Sequence, residues 1–155
     1  MPRLPFQNIL VVCTGNICRS PIGEVLLRQR IEAAGGSAEV ASAGTGAVVG
    51  SGAHEHSIAV LSEAGLSARD HVARQFDGVA DARFELILVM ESGHKRWIQR
   101  SFPQLGGRTY LLGHWIEEEI ADPIGQPVDA FRVCFAQIER AVDSWLPRLG
   151  LPARQ

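Results

Sequence analysis

The sequence predicts an α/β fold in which a central four-stranded parallel sheet, in the order 2-1-3-4, carries helices on both faces. Short apolar runs alternate with segments of helical periodicity, which is typical of a parallel sheet covered on both sides. The chain has 155 residues, of which 46% are hydrophobic, so it is long enough to bury a sizeable core. We therefore expect a single domain over residues 1–155, with its core at about residues 6–149.

The predicted elements alternate along the chain. Strands are expected at about 7–13, 39–42, 86–90 and 109–112, where β-branched and other apolar residues cluster. Helices are expected at 21–34, 57–64 and 93–102, which end at Gly35, Gly65 and Pro103 respectively. A last helix carries apolar residues at helical spacing between Phe131 and Leu149, and we expect it to bury one face.

The segment after the first predicted strand has the chemistry of an anion-binding loop. It reads C-T-G-N-I-C-R-S-P from Cys13 to Pro21, so five residues separate a cysteine from an arginine. Those five can wrap once around a tetrahedral anion, with their backbone N–H groups pointing inward. Gly15 and Asn16 tolerate the positive φ that a tight loop needs. A helix capped by Ser20, with Pro21 in its first position, would direct its positive dipole end to the same point.

The charges around this loop predict a reactive sulfur at Cys13. Cysteine thiols at helix N-termini and beside cations ionise far more readily than free thiols. The loop amides, the helix terminus and the Arg19 guanidinium all favour the anion, and Ser20 can add a hydroxyl donor. Arg19 can also hold two phosphate oxygens with its planar fork. We therefore expect a Cys13 thiolate that attacks a bound phosphate, and we expect neither a metal nor a cofactor.

Asp122 is the candidate proton donor for such a reaction. It precedes Pro123, which fixes the chain and restricts Asp122 to extended conformations. A carboxylic acid on a rigid loop can protonate the leaving oxygen and then activate water against a phosphocysteine. Asp-Pro is also a common turn dipeptide, so this assignment depends on the cysteine loop.

Several dispersed motifs resemble the low-molecular-weight protein tyrosine phosphatases. They are V-C-T-G-N-I-C-R-S-P, Ser42-Ala43-Gly44, His71-Val72-Ala73-Arg74-Gln75 and Asp122-Pro123, in the family's order over about residues 6–149. The resemblance implies Cys13 as nucleophile, Arg19 as phosphate and transition-state ligand, and Asp122 as acid and then base. It implies a phosphate-binding loop made of Thr14, Gly15, Asn16, Ile17, Cys18 and Ser20. It also implies that Asn16, Ser20, Ser42 and His71 form a network that holds the loop open.

Two further stretches, 44–50 and 112–115, resemble the bacterial subgroup linked to exopolysaccharide or capsule export. Members of that subgroup act on tyrosine autokinases, so the resemblance implies a phosphotyrosine protein of this kind as substrate. One position departs from the family, because Ile124 stands where an aromatic residue usually follows Asp-Pro. Val48 lies in a loop that lacks the large aromatic of some relatives. We expect a pocket rim of Val48 and Ile124 and weaker binding of aryl phosphates.

Three other functions remain open for this loop. Arginine-phosphate phosphatases of the same fold tend to have threonine at the position of Ile17, whose apolar side chain favours an aromatic ester. Arsenate reductases need further downstream cysteines, and this chain offers only Cys134 on a predicted buried helix face. A protein that only binds phosphotyrosine would have no use for Asp122.

Composition and cysteine usage limit the partners and the compartment. The net charge of −2 gives no support for nucleic-acid binding. No apolar stretch approaches a membrane span, and the first ten residues lack the pattern of a secretory signal. Three cysteines argue for a reducing compartment. We expect a cytoplasmic monomer, in which Cys13 and Cys18 can form a reversible, protective disulfide.

Overall fold

A computed structural model describes residues 4–154 and contains the predicted parallel sheet. Its strands are β1 (Asn8–Cys13), β2 (Glu39–Gly44), β3 (Leu86–Val89) and β4 (Thr109–Leu111). Their order is β2-β1-β3-β4, and all three pairings are parallel. The predicted fold class and strand order are confirmed.

Four α-helices within residues 4–154 cover the sheet. They are α1 (Arg19–Ala33), α2 (Glu55–Glu63), α3 (Ser92–Ser101) and α4 (Val128–Trp145), joined by short 3₁₀ turns. Helix α1 packs against α4 and against β1 and β2, α2 packs against α4, and α3 packs against β3 and β4. Within residues 4–154, none of the helices combines the length and apolarity that a membrane crossing needs.

The central strand β1 explains why the sheet is covered on both sides. Successive side chains of a strand point to opposite faces. Ile9 and Val11 lie in the core cluster that includes residues of α1 and α4, whereas Leu10 and Val12 lie in the cluster with Ile98 of α3. All four β1 side chains are fully buried, which accounts for the uninterrupted apolar run of this strand.

The predicted start of α1 is wrong by two residues. The helix begins at Arg19, with Cys18 at the N-cap position and without a side-chain cap. Ser20, expected as the cap, instead places its hydroxyl against Cys13 and Asn16. Pro21 therefore lies in the third helical position, which it tolerates because the N–H groups of a first turn have no helical partner.

Helices α2 and α3 also begin earlier than predicted, because histidines take part in their caps. His54 Nδ1 accepts a hydrogen bond from the His56 N–H (3.0 Å) and starts α2 at Glu55. At the start of α3, the Glu91 carboxylate accepts from the His94 N–H and His94 Nδ1 accepts from the Glu91 N–H, as in a capping box. Histidine is an unusual capping residue, so composition alone did not reveal these starts.

The carboxyl ends of β1 and β2 meet where the cysteine loop begins. Cys13 pairs with Gly44 at the last register position of the two strands. A Cβ atom on Gly44 would lie 2.3 Å from the Thr14 carbonyl oxygen, so only glycine allows the loop to pass this closely. The sheet thus places the loop at the edge where open α/β folds bind ligands.

Candidate active site

The loop between β1 and α1 forms a pocket whose volume is about 260 Å³. Cys13 stands at the start of this loop and Arg19 at its end, and both are almost completely buried, with 2% and 1% of their surface exposed. The lining combines the predicted loop with two other segments: it consists of Cys13, Thr14, Gly15, Ile17, Cys18, Arg19, Gly46, Val48, Asp122 and Ile124. Asp122 is thus brought to the cysteine from more than 100 residues away in the chain.

Asn16 braces this loop from behind the pocket. It has a positive φ of 59° and no exposed surface. Its Oδ1 accepts a hydrogen bond from the Arg74 backbone N–H (3.0 Å), which can only donate, so its NH₂ group faces the other way. That group donates to Ser20 Oγ (2.7 Å) and to Ser42 Oγ (3.0 Å). Every polar atom of the Asn16 side chain is therefore used, which fixes its orientation.

Ser42 and His71 extend this network outward. Ser42 Oγ accepts from Asn16 and donates to Glu24 Oε1 (2.6 Å). His71 Nε2 lies 2.6 Å from the Asn16 carbonyl oxygen, and because a carbonyl only accepts, Nε2 carries the proton. The structure thus brings the four predicted network residues together.

The sulfur of Cys13 faces two donors of Ser20. The Ser20 backbone N–H donates to Sγ (3.4 Å), and Ser20 Oγ lies 2.9 Å from Sγ. Since Ser20 Oγ already accepts from Asn16, its own proton is free to donate to the sulfur. Hydrogen bonds to an anion favour the charged form, so this geometry supports a thiolate.

Arg19 is held by its protein partners on both terminal nitrogens. Nη1 donates to Glu91 Oε2 (2.6 Å) and to the Ile120 carbonyl (2.7 Å). Nη2 lies 3.4 Å from Thr14 Oγ1 and 3.5 Å from Asp122 Oδ2. Within the described residues, the buried Nε has no hydrogen-bond partner. An oxyanion on the loop would supply acceptors to this guanidinium.

Asp122 lies on a tight turn at the pocket. Its Oδ1 accepts from the Ile124 N–H (3.1 Å), and the Gln126 N–H donates to the Pro123 carbonyl (3.0 Å). Gly125 has a φ of 79°, as the third residue of a type II turn requires. The turn therefore fixes both the carboxylate and the exposed Ile124 beside it.

Aliphatic side chains surround the mouth of the pocket. Val48 and Ile124 line the pocket, and each has 48% of its surface exposed. Ile17, half-buried, adds a third apolar wall. This mouth can pack against a flat ring but offers it no aromatic partner.

Glu91 and His94 are site residues that sequence reasoning missed. Glu91 holds Arg19, and His94 Nε2 lies 2.8 Å from Thr14 Oγ1. Burial, and secondly the Arg19 cation, lower the pKa of His94 to about 4, so the ring is neutral near pH 7. A signal was available: M-E-S-G-H follows β3, and the carboxyl ends of adjacent parallel strands share one edge.

The thiols of the other two cysteines, Cys18 and Cys134, ionise less readily than the thiol of a nucleophile would. Burial raises the pKa of Cys18 to about 12 and that of Cys134 to about 12. Cys134 is a core residue on α4, as predicted. All three cysteines are free in the structure, and the reversible disulfide between Cys13 and Cys18 stays a prediction.

Two histidines at the start of α2 pack against an aromatic ring. His54 stacks on Phe131 at 4.7 Å between ring centroids, and His56 meets the same ring edge-on at 5.1 Å. Both side chains are half-buried. No group of three or more histidine, cysteine or acidic side chains in residues 4–154 has the arrangement of a metal site.

Comparison with known proteins gives a family match over nearly the whole chain. The family model described as low molecular weight phosphotyrosine protein phosphatase matches residues 8–153. The probable low molecular weight protein-tyrosine-phosphatase AmsI of Erwinia amylovora is 45% identical over 145 residues, which are 93% of this chain and 98% of that protein.

Solved structures agree in fold. The tyrosine phosphatase Wzb from Escherichia coli K30, in complex with sulphate, superposes with a TM-score of 0.88 at 41% identity and covers 94% of this chain and 99% of that chain. The YwlE arginine phosphatase also superposes with a TM-score of 0.88, at 26% identity over 92% of this chain and 95% of that chain.

Proposed function

This chain belongs to the low molecular weight phosphotyrosine protein phosphatase family, and we propose that Cys13, Arg19 and Asp122 carry out the family's reaction in it. That reaction hydrolyses protein phosphotyrosine through a cysteinyl-phosphate intermediate. One observation carries the assignment to these residues: Arg19 is buried at the end of the loop that starts at Cys13, and its Nη2 lies 3.5 Å from Asp122 Oδ2.

Substrate binding uses the loop as an anion cradle. The phosphate lies within the turn made by Thr14, Gly15, Ile17 and Cys18, where backbone N–H groups converge. Arg19 supplies a fixed positive charge, and its otherwise unpartnered Nε gains an acceptor. Glu91 and the Ile120 carbonyl hold the guanidinium in place, so little ordering is needed when the anion binds.

The first chemical step transfers the phosphoryl group to sulfur. The Cys13 thiolate attacks phosphorus, and the bond from phosphorus to the tyrosyl oxygen breaks. Protonated Asp122 gives its proton to that oxygen, so tyrosine leaves as a neutral phenol. Arg19 and the loop amides hold the charge that develops on the equatorial oxygens.

The second step releases phosphate. The Asp122 carboxylate left by the first step takes a proton from water, whose oxygen attacks the phosphorus of the cysteinyl phosphate. The bond between sulfur and phosphorus breaks, and inorganic phosphate and the Cys13 thiolate are regenerated. Ser20 and the Asn16 network stabilise the departing thiolate.

The apolar walls favour an aromatic ester. Ile17, Val48 and Ile124 give the pocket an aliphatic mouth, which suits a phenyl ring better than a guanidinium. The proposal is tested by measuring phosphate release from phosphotyrosine, phosphoserine and phosphoarginine peptides, with arsenate plus reductant as a fourth arm. Turnover of phosphotyrosine that Cys13→Ser abolishes is expected. A preference for phosphoarginine, or arsenate reduction, would contradict the proposal.

We infer that the physiological substrate is a bacterial tyrosine autokinase of exopolysaccharide or capsule synthesis. The inference rests on the resemblance of residues 44–50 and 112–115 to that subgroup, and relatives named AmsI, EpsP and Wzb agree with it. Capture of phosphorylated membrane kinases by a Cys13→Ser variant from the source cells tests the partner, with Cys13→Ser/Arg19→Ala as control.

The need for a free Cys13 thiolate supports a reducing compartment, hence the cytoplasm, and we propose that the protein is a monomer there.

A further inference from the structure

We propose that the Thr14 hydroxyl is an additional ligand of the substrate phosphate, and that His94 is the positioning residue that aims its proton into the pocket. This inference rests on the proposed phosphatase function, since it concerns the oxyanion of that reaction. His94 lies on α3, outside the loop, and no sequence motif assigned it a role.

The orientation of the His94 ring follows from the cap of α3. The Glu91 backbone N–H donates to Nδ1 (3.2 Å), so Nδ1 is the unprotonated nitrogen. The neutral ring must then carry its proton on Nε2. Only 6% of the surface of His94 is exposed, and the Glu91 carboxylate accepts from the His94 N–H, so the ring has little freedom to turn.

The Thr14 hydroxyl has both lone pairs engaged. His94 Nε2 donates to Thr14 Oγ1 at 2.8 Å, and Arg19 Nη2 makes a longer contact with it at 3.4 Å. Within residues 4–154, the Thr14 side chain forms hydrogen bonds with no other group. Its own O–H proton is therefore available to a third partner. Thr14 lines the pocket together with Cys13 and Arg19, so a phosphate oxygen bound there is the acceptor that this proton can reach.

The surroundings of His94 keep this arrangement intact at working pH. The charged groups that act on the ring are Arg19, Glu91, Asp122 and Glu119. Burial and Arg19 outweigh the three carboxylates, and the pKa of His94 falls to about 4. A second ring proton would sit on Nδ1 and point at the Glu91 N–H, donor against donor. The neutral ring with Nε2–H is thus the species present above pH 5.

The hydroxyl contributes most where negative charge is greatest. A donor aimed at an oxyanion inside a preorganised site stabilises it more than water does, and hydrogen bonds to charged groups are the stronger ones. Removing this donor is expected to lower kcat/KM about tenfold and to weaken inhibition by orthovanadate, an oxyanion probe, by a similar factor. A contact that served only to cap α3 would leave vanadate inhibition unchanged.

Two pairs of variants separate the hydroxyl from its surroundings. Thr14→Val keeps the shape of the side chain and removes the hydroxyl, whereas Thr14→Ser retains it. His94→Asn offers an acceptor where Nδ1 caps the helix but cannot reach Thr14, whereas the longer His94→Gln can place an N–H near the Nε2 position. We expect kcat/KM to be about tenfold lower in Thr14→Val and in His94→Asn, and we expect Thr14→Ser and His94→Gln to recover most of that loss.

The experiment measures kcat/KM with p-nitrophenyl phosphate, the inhibition constant of orthovanadate and the unfolding temperature for all variants and for Thr14→Val/His94→Asn. If His94 acts through Thr14, the double variant is no worse than either single variant. A wild-type protein without turnover would overturn the proposed function itself. An active wild type with Thr14→Val and His94→Asn within twofold of it would overturn only this inference. If the losses of kcat/KM in the two single variants multiply in the double variant, the positioning role of His94 is overturned. Because Thr14 is exposed, its variants test the hydroxyl even if His94→Asn unfolds.

Discussion

At the scale of single residues, the site depends on which way protons point. The Arg74 N–H donates to the Asn16 side-chain oxygen and so sets the orientation of that amide. The Asn16 NH₂ group then donates to Ser20 Oγ, which leaves the Ser20 hydroxyl proton to donate to the Cys13 sulfur. The residue types of this chain of contacts could be predicted from the motifs. Its direction could not, because it is set by one backbone N–H that lies 58 residues from Asn16 in the sequence.

Alkylation of Cys13 tests this arrangement. A free thiol is almost fully protonated at pH 6, so iodoacetamide should label an ordinary cysteine slowly there. We expect rapid labelling of Cys13 at pH 6, detected by mass spectrometry, and slower labelling in Ser20→Ala because that variant loses the hydroxyl donor. Cys18 and Cys134 serve as internal controls, since burial raises the pKa of each to about 12. Equal labelling of the three cysteines would refute the thiolate.

Replacement of Asp122 tests the proton donor. Asp122→Asn keeps the size of the side chain and removes the acid, so a leaving group that needs a proton is affected most. We expect kcat to fall about 10²–10⁴-fold for phenyl phosphate and much less for an activated ester such as p-nitrophenyl phosphate. Glu119→Gln, outside the pocket lining, is the matched control. A loss that is the same for both esters would remove Asp122 from the acid step.

The aliphatic rim predicts a specific gain from an aromatic residue. Ile124 is exposed at the pocket mouth, and Ile124→Tyr would place a ring beside the substrate ring, an interaction of about 0.5–1.5 kcal/mol. The KM for phosphotyrosine peptides should therefore fall about two- to tenfold with kcat little changed. Ile124→Leu controls for side-chain size. A KM that does not change would show that this position does not contact the substrate ring.

At the scale of elements, the site is built where strand ends and helix starts meet. Periodicity predicted the β-strands and the α-helices to within a few residues, because the apolar residues of β1, β3 and α4 are buried as their patterns indicate. The helix starts were less predictable, since Ser20, His54 and His94 are used in ways that local propensity does not describe. The same local exceptions account for the missed roles of Glu91 and His94.

Gly44 at the end of β2 gives a test of the contact between strand and loop. A Cβ there would lie 2.3 Å from the Thr14 carbonyl oxygen, which belongs to the backbone and cannot move without reshaping the loop. Gly44→Ala should lower kcat/KM more than tenfold and also reduce the unfolding temperature. Gly107→Ala is the control, because nothing lies within 4 Å of its Cβ position. A fully active Gly44→Ala would show that the loop tolerates displacement.

At the scale of the whole molecule, the sheet joins two cores, and the active site lies at the strand ends between them. β1 contributes side chains to both clusters and ends at Cys13. Asp122 and His94 reach the loop from the segments that follow β4 and β3, respectively. Strand order was therefore the part of the prediction on which the position of the site depended. The contacts between distant loops required coordinates, because no local pattern encodes them.

Buried His94 connects the site to the stability of the whole fold. Its pKa is about 4 in the folded protein, against an ordinary value of 6.5, so between these values the unfolded chain binds more protons. The free energy of unfolding should consequently fall as the pH drops from about 6.5 to about 4, by on the order of 3 kcal/mol from this group. Urea unfolding at a series of pH values measures this slope. His94→Gln should flatten this slope, whereas His114→Asn, which replaces an exposed histidine, should not. Equal slopes in His94→Gln and in the wild type would contradict the prediction. They would mean that other groups cause the acid destabilisation and that the His94 ring takes up its proton without unfolding.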